Sequence, residues 1–219
     1  MAYYKVGPDN SSFFSKRTTW ELLDAINVAV DGDIIEVDNS YVYNSENVIS
    51  INKSISIIGK VDESENNQLQ PIIINQIHID NGVTVTIKNF SISINKEKTN
   101  AITIKDKSAL IGENLFIENT SKKDKLYPII GCVNSNLKLI ETSILANNLG
   151  VSAIYAKDSN LNIYDSSFEA KLEIENSTLF ISNTDFKDAF LKIILRLFFA
   201  YEDRKEDLIC TKKMFIHLF

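Results

Sequence analysis

Three prolines, seven glycines, two cysteines, two histidines and three arginines are all that this 219-residue chain carries of those types. So few prolines and glycines exclude a low-complexity linker, and the length points to one domain with a sizeable core. Two isolated cysteines, Cys132 and Cys210, do not make a disulfide framework and fit a reducing compartment. The opening Met1-Ala2-Tyr3-Tyr4-Lys5-Val6-Gly7-Pro8 lacks the apolar segment of a signal peptide, so a cytoplasmic location is expected. A formal net charge of −6, from 23 basic and 29 acidic residues, argues against a nucleic-acid partner. No apolar run reaches the roughly 20 residues of a membrane span.

What the chain does have is a repeat between residues 107 and 188. Its lines are Lys107-Ser108-Ala109-Leu110, Asn134-Ser135-Asn136-Leu137, Asp158-Ser159-Asn160-Leu161 and Asn176-Ser177-Thr178-Leu179. Seven residues after each Leu stand Ile117, Ile144, Phe168 and Phe186; two after it stand Gly112, Leu139, Ile163 and Ile181. A looser copy holds Val85, Ile87 and Ile92. The spacing from Val85 to Leu110 is 25 residues, and the next three are 27, 24 and 18. Such periods mark stacked repeats, and the apolar/polar alternation within each line marks strands with one inward face.

A second inward run precedes each Leu, as Ile102/Ile104, Ile130/Cys132, Ile154/Ala156 and Leu172/Ile174. The first pair sits one residue farther from its Leu than the others, which reads as an insertion near Lys107. Each unit is therefore expected to hold two or three short strands joined by Asn/Ser-rich corners, with length variation confined to loops such as 96–100 and 121–125.

On these lines the chain resembles the right-handed parallel β-helix superfamily, the pectate-lyase-like fold, over roughly residues 3–188. The resemblance implies an all-β solenoid of about six short rungs. It leaves activity open, since that fold hosts lyases, hydrolases, adhesins and scaffolds.

Upstream, Tyr3 to Val6 reads as a strand and residues 7–12 as a turn. Thr18-Thr19-Trp20-Glu21 fits a capping box opening a helix over about 19–31. Trp20, Leu23, Ile26 and Val30 are its expected apolar face, Trp20 its plug residue, and Gly32 its stop. The strand Ile34-Ile35-Glu36-Val37 follows. Such a unit resembles the helical plug that caps many domains of this superfamily. After residue 188 the repeat ends. Residues 189–219 are a divergent tail with three readings: a C-terminal cap, an amphipathic surface helix, or a truncation or frame-shift scar.

Chemistry on such a fold needs paired carboxylates for hydrolysis, or acidic cation ligands and a base for elimination. Asn183-Thr184-Asp185 resembles the first motif of polygalacturonase-like hydrolases, but the Asp-Asp, Gly-His-Gly and Arg-Ile-Lys segments of that pattern are missing, and the three residues occupy an ordinary repeat corner. Glu141, Asp165 and Asn183 should align as one exposed column, with Glu141 and Asp165 near the separation of a retaining pair. Arg17, Arg196 and Arg204 lie outside the repeats, and His78 is expected to face outward without a partner histidine. No catalytic residue, cofactor site or metal site is assigned.

The reading from sequence is a non-catalytic scaffold or binding module for a protein or glycan. Two alternatives stand beside it: a polysaccharide lyase or hydrolase with a degenerate site, and the N-terminal module of a larger, ATPase-containing protein.

Overall fold

The computed structural model describes residues 1–7, 20–61, 69–95, 99–121, 127–146 and 151–186, and the backbone of the short strands Lys192–Ile193, Leu197–Phe199 and Met214–Leu218. Within them the chain is mainly β, with mostly parallel strands in two sheets, an arrangement compatible with a β-helix. The chain passes back and forth between a seven-stranded sheet, which takes one strand per pass, and a fifteen-stranded one, which takes one to three. Residues 8–19, including Thr18 and Thr19 of the expected capping box, lie outside the description, as do most of the tail and Cys210.

The pairing register aligns the repeat lines. Val85, Leu110, Leu137, Leu161 and Leu179 form one ladder of the larger sheet. Ile35, Ile57, Ile87, Gly112, Leu139, Ile163 and Ile181 form the next. Ile73, Ile92, Ile117, Ile144, Phe168 and Phe186 form a third, in which the rings of Phe168 and Phe186 stack 5.3 Å apart. In the seven-stranded sheet Ile49, Ile77, Ile102, Ile130, Ile154 and Leu172 make one ladder, and Ile51, Ile79, Ile104, Cys132, Ala156 and Ile174 the other. Nearly all of these side chains are buried and belong to one core. β-branched residues dominate because like side chains about 4.8 Å apart on neighbouring strands pack best when stiff. Each large one contributes on the order of 1.5–3 kcal/mol by leaving water. Gly112 is the exception in its ladder. Its missing side chain leaves room for Leu115 and Leu139, whose methyls lie 2.7 and 2.9 Å from where a Cβ would stand.

The repeated Ser before each Leu has a physical cause. Ser108, Ser135, Ser159 and Ser177 are buried. The Oγ of Ser159 accepts the N–H of Ser135 at 3.2 Å, and that of Ser177 accepts the N–H of Ser159 at 3.0 Å. Ser108 does the same for Gly82 at 3.1 Å. Ser135, Ser159 and Ser177 donate their protons to the carbonyls of Val133, Lys157 and Glu175. A corner N–H pointing into the core would otherwise be an orphan donor.

The polar residue before each Ser also has a cause. Asn134, Asp158 and Asn176 have φ of 49°, 51° and 45°, the left-handed region that short amide and acid side chains tolerate. The inserted residue near Lys107 appears as two consecutive positive-φ residues, Asp106 at 58° and Lys107 at 65°.

The helix differs from its expected form. It spans Leu22–Val28, with Glu21 at its N-cap making no side-chain cap bond. Tyr41 supplies the cap instead. Its hydroxyl accepts the Leu22 N–H at 3.2 Å and donates to Glu21 at 2.8 Å. Of the expected face Ile26 is buried and Leu23 partly buried, whereas Trp20 and Val30 are exposed; the buried stripe is Leu22, Ala25, Ile26 and Ala29. Trp20 lies before the helix, 42% exposed, bridged to Val6 and edge-on to Tyr4, so it is not the plug residue. Small alanines let the helix lie close over its neighbours, which a Trp on that face would prevent. Gly32, at φ 86°, serves the turn into strand Ile34–Val37 and not the helix end. The helix ends at Val28, where Lys53 Nζ donates to the carbonyls of Ile26 and Asn27 at 3.1 and 2.6 Å.

In the tail, Lys192–Ile193 pairs parallel with Lys171–Glu175, and Met214–Leu218 runs antiparallel along Thr178–Ser182. No helix among the described residues is long and apolar enough to cross a membrane.

Candidate functional site

The outward side chains of the seven-stranded sheet form columns, because register is kept from strand to strand. One column runs Ser50, His78, Thr103, Gly131, Tyr155, Glu173. Beside it Val133, Lys157 and Glu175 run in register, with Lys105 one strand earlier. Gly131 breaks the first column by having no side chain. The gap opens into a cleft of about 540 Å³ lined by Asn100, Thr103, Lys105, Asp106, Tyr127, Pro128, Gly131, Val133, Asn134 and Tyr155. That size is within the roughly 300–1,000 Å³ typical of small-ligand sites.

The walls are unequal. Tyr127 is 50% exposed and Val133 40% exposed. Tyr155 is held from behind: its hydroxyl donates to Glu175 Oε2 at 3.0 Å, and Glu175 Oε1 pairs with Lys157 Nζ at 2.6 Å. The hydrogen bond from Lys157 holds the Glu175 carboxyl below its ordinary value, and the same bond raises the Lys157 ammonium. Burial, then the bond to Glu175, raises the Tyr155 phenol. Asn100, on the floor, donates its amide to the Pro128 carbonyl. A Cβ at residue 131 would meet only the tip of that amide, at 3.2 Å.

The candidates read from sequence fall elsewhere. His78 faces outward, half-buried, beside Thr103; burial and then the Lys105 charge hold its imidazole below the ordinary value. Cys132 faces the core between Ile104 and Ala156, and burial pushes its thiol up to about 11. Glu141, Asp165 and Asn183 occupy equivalent corners with φ of 50°, 48° and 48°, exposed, and the Asn183 amide donates to Asp165 at 2.7 Å. That column is on the larger sheet's corner, whereas the cleft is on the seven-stranded sheet, so the two do not meet in one site. Among the described residues, no group of three His, Cys, Asp or Glu side chains could hold a metal ion.

Sequence reasoning missed the cleft residues. Three of them, Thr103, Gly131 and Tyr155, lie on successive strands and are neighbours only through the register. The signal present was Gly131 between inward Ile130 and Cys132, an outward position left empty in one repeat.

Comparison with models of known protein families returns no match, and comparison with curated proteins returns none either.

Proposed function

We propose that the chain is a right-handed parallel β-helix of about six short rungs serving as a rigid, non-catalytic binding module for a protein or glycan. The observation that carries this reading is the cleft over Gly131. Ladders in unbroken register hold its floor, and paired side chains hold one wall, so the surface is organised before any ligand arrives. A scaffold of this kind binds without large rearrangement. The exposed Glu141–Asp165 corner supports the non-catalytic reading, because Asp165 accepts the Asn183 amide at 2.7 Å and both carboxylates face open solvent and not a cleft.

The test is turnover of polygalacturonate, pectin and neutral glycans, with and without calcium. It is followed by unsaturated-product absorbance and by reducing-end release. The expected result is none. Activity abolished by Glu141→Gln or Asp165→Asn would overturn the module in favour of an enzyme. An elongated scattering envelope is expected of the stacked rungs, and a spherical one refutes the β-helix.

A further inference from the structure

We infer that the cleft over Gly131 is a saccharide site and that its ligand is uncharged, an inference that rests on the binding-module reading above. The shape separates small ligands from protein partners. Protein interfaces are broad patches of about 1,200–2,000 Å², whereas this site is a concave cleft of about 540 Å³.

The lining sets the chemistry. Tyr127 and Tyr155 bring aromatic rings to it, and the electron-rich faces of such rings attract the C–H face of a sugar. The Tyr155 hydroxyl is committed to Glu175, so that residue offers its ring and not its phenol. Around the rings stand Asn100, Asn134 and Thr103. A side-chain amide carries donors and an acceptor together, which suits adjacent sugar hydroxyls that both give and take hydrogen bonds.

Charge narrows the class. The lining holds one cation, Lys105, and one anion, Asp106, adjacent in sequence, so it has no net charge to match a uronate or a sulfate. Beyond the lining, Lys157 and Glu175 pair with each other, and Lys107 next to Asp106 adds one cation at the edge. A polyanion would meet Asp106 with no more than that one cation in surplus.

The experiment is an array of neutral hexose and pentose oligosaccharides and of oligouronates, with calorimetric titration of the neutral oligomer best retained. The variants are Gly131→Val and Tyr127→Ala. Valine suits a strand and the position has ordinary backbone torsions, but its Cβ would press on the Asn100 amide 3.2 Å away, so Tyr127→Ala carries the test if Gly131→Val lowers the melting temperature. A neutral oligosaccharide is expected to bind, to lose about tenfold or more in affinity in both variants, and to change less than about twofold between low and high salt. Preference for oligouronates, or affinity that falls steeply with salt, overturns the uncharged ligand. Undiminished binding by Gly131→Val moves the site elsewhere. Retention of no neutral saccharide by the folded protein overturns the inference while leaving the module reading intact. Turnover at Glu141 and Asp165 would overturn the module without deciding what the cleft holds.

Discussion

Replacing Ser159 by alanine tests the corner hydroxyls most directly. In the native chain Ser159 Oγ accepts the Ser135 N–H at 3.2 Å and donates at 2.7 Å to the Lys157 carbonyl, with the Cys132 carbonyl at 3.2 Å as a second acceptor. Alanine removes all of this without adding volume. The Lys157 carbonyl keeps another donor, the Asn134 N–H at 2.8 Å, so its loss is small. The Ser135 N–H has no such replacement, and Ser135 is only 4% exposed. An orphaned buried donor costs about 1–3 kcal/mol, so Ser159→Ala should destabilise by roughly 2 kcal/mol. Leu161→Ala, two residues on in the same repeat, sets the scale for a pure packing loss at about 2–5 kcal/mol. Urea unfolding read as a midpoint shift at constant slope is the assay. A change within about 0.5 kcal/mol for Ser159→Ala would show that the hydroxyl ladder does not hold the corner, and the recurrence of Ser would need another cause.

Other outcomes follow from the same geometry. Cys132, with its thiol pushed up to about 11, should resist thiol reagents in a Cys210→Ser background until the protein unfolds; rapid native labelling would break the ladder register. Glu141→Asn should stabilise by about 1 kcal/mol, since Glu141 holds φ of 50° that asparagine tolerates better; a lower melting temperature would refute the strain. The Asp33 carboxyl is held below its ordinary value by the N–H groups of Ala2 and then Val30. Its contribution is therefore complete above the unfolded-state value near 4 and is lost as pH falls through the lower folded value, so Asp33→Asn should flatten that acid limb of stability. Deleting residues 189–219 should leave Thr178–Ser182 without its antiparallel neighbour, lowering the melting temperature and promoting concentration-dependent association; an unchanged melting temperature would support the scar reading of the tail.

Much of the fold was legible because strand periodicity and corner chemistry are local. Leu137-Lys138-Leu139 declares its inward face by alternation alone, and Asn134, Asp158 and Asn176 recur because a left-handed corner selects short polar side chains. The alignment of Cys132 between Ile104 and Ala156 followed from counting residues between repeats. The N-terminal helix was legible as a helix but not in its phase. Trp20 and Val30 fit a 3.6-residue stripe as well as Leu22 and Ala29 do, and only packing against the first strands selected the face with the alanines. The Tyr41 cap came from a residue 19 positions beyond the helix start, which no local pattern encodes. The cleft was decided by tertiary structure for the same reason. Gly131, Thr103 and Tyr155 have no sequence relation that marks a site. They meet because parallel register places one position of each strand beside its counterparts, and a missing side chain there becomes a cavity only once its neighbours stand on either side.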